Sequence, residues 1–223
     1  MRSTDGVRRQ ALIAAVTVLV GALVVFLGFR LIGGGDSNAS GSASAAKPSA
    51  SPSAKRTPSI KVTRLPSKVP AAPRLNAAQK AAGAKASSQL VTFLGKSSAA
   101  LAQNNGKAAV STYAAGPALG EIQVLAIQYH HEKTTISGTP KVLGSQVVAA
   151  HLSSTPKSVT VAVCLDNSPV IARDAKGRNL SKHRLPSELT VLNLYEVQQL
   201  KGKWLVVNHS IPADSSCKQM KLS

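Results

Sequence analysis

Cys164 and Cys217 are the only cysteines in this 223-residue chain. An even pair in an oxidising compartment favours a disulfide. In the chain-entropy model, closing a loop of this size stabilises the fold by roughly 4 kcal/mol. Free thiols and a redox pair are the alternatives, although no Cys-x-x-Cys spacing is present. His130-His131-Glu132 is the densest titratable cluster. Adjacent helical residues point about 100° apart, and a metal-binding helix needs histidines four residues apart. No such pair exists, so the cluster reads as a polar helix end, where imidazoles complement the dipole. His151 and His183 stand alone. His209, after the Trp204 strand, and Asp166, near the end of another strand, are the two pocket candidates. For Asp166 the Asp-Asn-Ser-Pro sequence also reads as a turn. Neither is expected to enter a large enclosed pocket beside a second titratable group, which general acid–base catalysis requires. There is no Gly-x-Ser-x-Gly elbow, Walker loop or dinucleotide fingerprint. No catalytic, cofactor-binding or metal-binding residue is expected, and no cofactor.

These residues sit in a stretch of about 150 residues, enough for one domain over residues 76–223. Its first part reads as helical. Ala77 to Leu94 is Ala-rich, with Leu90, Val91, Phe93 and Leu94 as apolar positions, and Gly95 and Asn104-Asn105-Gly106 punctuate it. Ala118 to His130 places Leu119, Ile122, Leu125, Ala126 and Tyr129 at helical spacing, with Pro117 suited to the first turn. Its second part reads as strands: Gln146–Leu152, Lys157–Leu165, Pro169–Arg173, Glu188–Leu200 and Trp204–Asn208. In the second of these, Val159, Val161, Val163 and Leu165 share one face, and Thr160, Ala162 and Cys164 the other. Lys201-Gly202-Lys203 is a hairpin turn. Helices followed by an antiparallel meander indicate an α+β fold, with helices packed on a curved sheet.

The N-terminal third has a different composition. Ala11 to Phe29 is an uncharged, almost wholly apolar run of 19 residues, long enough to cross a bilayer as a helix. Arg2, Arg8 and Arg9 precede it. By the positive-inside rule residues 1–10 form a cytoplasmic tail, residues 11–32 a single transmembrane helix, and the rest is extracytoplasmic. A cleaved signal peptide is the alternative, since small residues follow at Asn38-Ala39-Ser40 and Ser42-Ala43-Ser44. Residues 33–75 are rich in Ser, Ala, Pro and Lys and carry no aromatic side chain. Such a segment buries too little apolar surface to offset its ordering entropy, and it reads as a disordered linker. Net charge is +18, and residues 33–85 hold nine basic residues against Asp36 alone. The excess suits a solvated spacer or weak binding to anionic envelope polymers or lipids. A protein partner is equally compatible. Without interleaved aromatic residues the basic tether does not suggest nucleic acid.

The segment Cys164-x-Asp166, the turn with Asp174 and Gly177, the final strand with Gly202, Trp204 and Val206, and the late Cys217 form a recurrent pattern. Over about residues 85–217 it resembles the extracytoplasmic NTF2-like (cystatin-like, cone-shaped) domains of actinobacterial membrane and secreted proteins. The resemblance implies a cone-shaped α+β domain and an accessory, binding or scaffold role at the cell envelope without catalysis. NTF2-like enzymes and small-ligand binders that use a pocket Asp or His as general base are the alternative it carries.

Overall fold

The computed structural model describes residues 60–220. The predicted cytoplasmic tail, transmembrane helix and most of the linker lie outside the described residues. Among the described residues no helix is long and apolar enough to cross a membrane.

Helix α1 spans Ala77–Ala102. Asn76 starts it: its side-chain oxygen accepts from the Gln79 N–H at 2.9 Å, and Gln79 Oε1 accepts from the Asn76 N–H at 3.0 Å. This reciprocal box satisfies donors that the first turn would leave free. The helix does not stop at Gly95, as the sequence suggests, but runs to Ala102. Glycine costs about 1 kcal/mol inside a helix, and burial of Leu90, Phe93, Leu94 and Ala100 on one face outweighs that. Gly83 lets this helix approach the sheet, because a Cβ there would lie 2.7 Å from Val147 Cγ2. Helix α2 spans Gly116–His131 with proline in its first turn.

The strands are β1 (Thr135–Ser137), β2 (Lys141–His151), β3 (Ser158–Asp166), β4 (Ile171–Arg173), β5 (Thr190–Leu200) and β6 (Lys203–Ser210). β2, β3, β5 and β6 form an antiparallel sheet in that order, while β1 and β4 pair separately. β1 has no counterpart among the expected strands, β4 starts two residues later than expected, and two further spans depart more widely. β2 begins five residues earlier than its apolar core suggests and carries two register shifts that bend it. Glu188 and Leu189, expected in a strand, belong to a helical turn, α3 (Pro186–Leu189), in which Glu188 Oε2 accepts from the Leu185 N–H at 2.9 Å. The β5–β6 hairpin turns on Lys201 and Gly202, at φ 51° and 79°. Positive φ at both central residues matches the right-handed strand twist.

The result is an α+β fold with helices packed against an antiparallel sheet. One sheet face is closed by α1 and α2 over Val159, Val161, Val163, Leu165, Tyr195, Val197 and Val206. The other face carries Val148, Ala162, Cys164, Leu192, Leu194 and Met220, with Leu65 and Val69 laid upon them. Residues 60–69 are thus a strap on this outer face, not free tether. The Lys61 carbonyl accepts from Gln198 Nε2 at 2.6 Å, and the Thr63 carbonyl accepts from Asn208 Nδ2 at 2.7 Å. Thr63 Oγ1 donates to Glu196 Oε1 at 3.2 Å, and the Ser67 carbonyl accepts from the Ala213 N–H at 2.9 Å. Composition hid this because two apolar anchors suffice to dock the segment, and Pro66 reduces the entropy lost on ordering.

Candidate functional site

A cleft of about 260 Å³ opens where the ends of α1 and α2 meet the helix-covered face of the sheet. Its walls are mostly apolar, with Phe93, Leu94 and Leu101 from α1, Ile122 from α2 and Val191 from β5. Seven polar residues line it, among them Ser97, Glu121, Asn193, Tyr195 and His209, with Ser98 and Asn167 as the other two.

The register explains how the sheet delivers three of them. Tyr195 on β5 lies directly opposite His209 on β6, so both side chains leave the same face. Their rings stack at 4.7 Å between centroids, 21° from parallel. Asn193 is two residues before Tyr195 and shares that face. Its Nδ2 donates to the Val191 carbonyl at 3.0 Å. That bond orients the amide so that Oδ1 receives His209 Nε2 at 2.9 Å. On the other side of the ring, His209 Nδ1 lies 3.1 and 3.0 Å from the two carboxylate oxygens of Glu121 on α2. His209 therefore bridges helix and sheet through a carboxylate and an amide oxygen. Its side chain is 17% exposed and that of Glu121 26%. Neither ring nitrogen is left facing the open cleft.

Tyr195 is buried, and that burial, reinforced by the Glu121 charge, pushes its phenol well above the ordinary range. The hydroxyl keeps its proton and is a donor. Ser97, 5% exposed, lines the same cleft, and its Oγ is buried without a partner among the described residues. A buried hydroxyl without a partner costs roughly 1–3 kcal/mol. The cleft thus offers the Ser97 hydroxyl, unpartnered among the described residues, and the Tyr195 phenol in a mostly apolar surround, next to a Glu121–His209–Asn193 contact that occupies both ring nitrogens.

The two sequence candidates part company here. Asp166 lies outside the cleft lining. Its Oδ1 accepts from the Ser168 N–H at 2.8 Å, closing the Asp-Asn-Ser-Pro turn. That backbone hydrogen bond, with the Ser168 hydroxyl and Lys141 adding, holds its carboxyl below the usual range. His209 does meet a second titratable group, Glu121, and to that extent the expectation that it stands apart is corrected. The physical reason is that α2 crosses β6 where no linear spacing reveals it, 88 residues away in sequence.

Glu121, Asn193, Tyr195 and Ser97 were not singled out by sequence reasoning, although signals existed. Ser97 sits at the next helical repeat of the Leu90, Phe93, Leu94 stripe, where an apolar residue belongs. Asn193 interrupts the alternation Val191, Tyr195, Val197 on the buried face of β5. Glu121 lies three residues after the buried Ala118 on the core side of α2.

The remaining histidines serve local structure or face solvent. His130 Nδ1 lies 2.8 Å from the Asn104 carbonyl and pins the α1–α2 connection. His131, His151 and His183 are exposed. Among the described residues no group of three His, Cys, Asp or Glu side chains gathers as a metal site. Cys164 and Cys217 are bonded, with Cα atoms 5.5 Å apart, so the free-thiol and dithiol alternatives do not describe this fold.

No family model and no curated protein matches the chain. Among solved structures it is similar to the intermembrane space region of chloroplast protein ARC6, at 14% identity and a TM-score of 0.42, over 65% of this chain and all of that one. At that level of superposition nothing about ligand or partner carries over.

Proposed function

We propose that this chain is a membrane-tethered extracytoplasmic binding protein of the cell envelope, with an NTF2-like domain whose cleft holds a small, neutral, largely apolar molecule bearing one hydrogen-bond acceptor. The observation that carries the ligand class is the Ser97 Oγ, unpartnered among the described residues, in a mostly apolar cleft that Tyr195 also lines. An acceptor placed there engages a donor that otherwise goes unused. A ligand carboxylate is disfavoured by the Glu121 carboxylate in the same lining. The helix pair followed by a four-stranded meander supports the NTF2-like assignment, and the uncharged run 11–29 supports the tether.

The Glu121–His209 pair favours one second reading, proton transfer on the bound molecule. Binding without catalysis is the stronger of the two, because both ring nitrogens of His209 already face acceptors. Cyclohexanone separates the readings, since it is small and apolar, carries an acceptor and has exchangeable α-protons. With the full-length chain in lipid nanodiscs, cyclohexanone is expected to shift the resonances of Tyr195 and His209, and cyclohexanecarboxylate is not. Ser97→Val should weaken cyclohexanone about fivefold, the worth of roughly 1 kcal/mol. In D₂O its α-protons should exchange no faster than in buffer. Accelerated exchange that Glu121→Gln removes would establish the second reading. No shift with cyclohexanone would overturn both.

A further inference from the structure

A second depression lies on another part of the surface. It is an open groove of about 510 Å³ lined by α1, the segment before α2, and the β5–β6 hairpin. Two cations enter it from separate elements, Lys85 from α1 and Lys203 from the hairpin. Both are exposed, and no acidic residue lines the groove. Neither lysine makes an ion pair among the described residues. Two aromatic side chains, Trp204 and Tyr113, form part of the wall while packing against the core beneath. Outside the groove lining, Lys96 Nζ lies 5.9 Å from the centre of the Tyr113 ring. Between charges and rings stand Ser88, Gln89 and Thr112, which supply hydroxyl and amide groups.

We propose that this groove binds an acidic polysaccharide, a uronate-type chain whose rings pack on Trp204 and whose carboxylates meet Lys85 and Lys203. Like charges held together without a counter-charge repel, and a polyanion relieves that repulsion. Aromatic faces on a shallow surface take the apolar C–H face of a sugar ring. Short polar side chains around them match its hydroxyls. An open groove accommodates a chain running through it, whereas a lipid tail needs an enclosed apolar pocket. The preference for polysaccharide over nucleic acid rests on the extracytoplasmic reading above, while the groove chemistry does not.

Trp204 is the only tryptophan in the chain, so its fluorescence reports this groove and not the basic tether. The full-length protein is titrated at low salt with polygalacturonate, neutral dextran and polythymidylate, following emission and quenching by acrylamide. Polygalacturonate is expected to shield Trp204 at least twofold, with an effect that disappears in high salt. Dextran should leave it unchanged. The double variant Lys85→Glu, Lys203→Glu alters only exposed side chains and should lower polygalacturonate affinity tenfold or more, with the circular dichroism spectrum retained. Polymer binding that leaves Trp204 untouched would assign the interaction to the tether and overturn the proposal. So would undiminished binding by the double variant, equal shielding by dextran, or tighter shielding by polythymidylate. Protection of the domain from protease added to intact cells would instead overturn the extracytoplasmic reading, and would leave the groove measurement standing.

Discussion

The two faces of the central sheet are covered by different means. The helix side is a broad apolar contact, in which α1 and α2 bury valines, Leu90 and Phe93 against β3, β5 and β6. The outer side is covered by a strap, residues 60–69, and by the C-terminal segment tied down through Cys164–Cys217. Toward one end of that face the strap lies over polar side chains. Glu196 and Gln198 are 2% and 1% exposed, and Glu196 Oε2 and Gln198 Oε1 have no partner among the described residues. Apolar contact is non-directional and accumulates with area, so the helix side needs no particular bond. A strap of ten residues has little area and holds through individual hydrogen bonds, while the C-terminal segment beside it is held by one covalent link.

This contrast orders the effects of substitution. Phe93→Ala removes an aromatic ring from the helix side and should cost about 3–5 kcal/mol, read from the urea midpoint. A cost no larger than that of a surface change would mean the helix layer is not the main source of stability. Replacing Cys164 and Cys217 together by alanine should cost about 2–4 kcal/mol, given their separation of 53 residues. The same loss should follow reduction of the unmodified protein, whereas reduction should leave the double variant unchanged. The smallest effect is expected at the strap. Thr63→Val keeps the shape but removes the Oγ1 donor to Glu196, and should cost about 1 kcal/mol. A cost equal to that of Phe93→Ala would erase the distinction between the two faces.

The cleft and the groove differ in a similar way. In the cleft the Glu121 carboxylate faces His209, and what stays unpartnered among the described residues is the Ser97 hydroxyl. In the groove the hydroxyl and amide groups are accessible, and what stays unengaged is positive charge. The first arrangement favours a small neutral molecule, the second an extended polyanion.

Much of the scaffold was legible before any coordinates. The alternation Val159, Val161, Val163, Leu165 against Ala162 and Cys164 divided β3 between two faces, as the two clusters now show. The Lys201-Gly202 turn and the Leu90, Phe93, Leu94 stripe were equally plain. Periodicity is a local property, so a dozen residues carry it. The cleft was legible only in fragments, as a serine on an apolar stripe and an asparagine in an apolar alternation. Each alone reads as an ordinary polar residue.

The sequence by itself determined that two helices precede the main strands, the two faces of β3, the apolar positions of α1 and α2, and the availability of one cysteine pair. These follow from side-chain period and residue type along the chain. β1 and the turn α3 were not legible in it. Only the tertiary structure decided that Glu121 faces His209, that the strap covers Glu196 and Gln198, and that Lys85 and Lys203 share a groove with Trp204. Those juxtapositions join residues up to 137 positions apart. They depend on how helices settle on a bent sheet, a packing outcome summed over many weak contacts that no local stretch of sequence encodes.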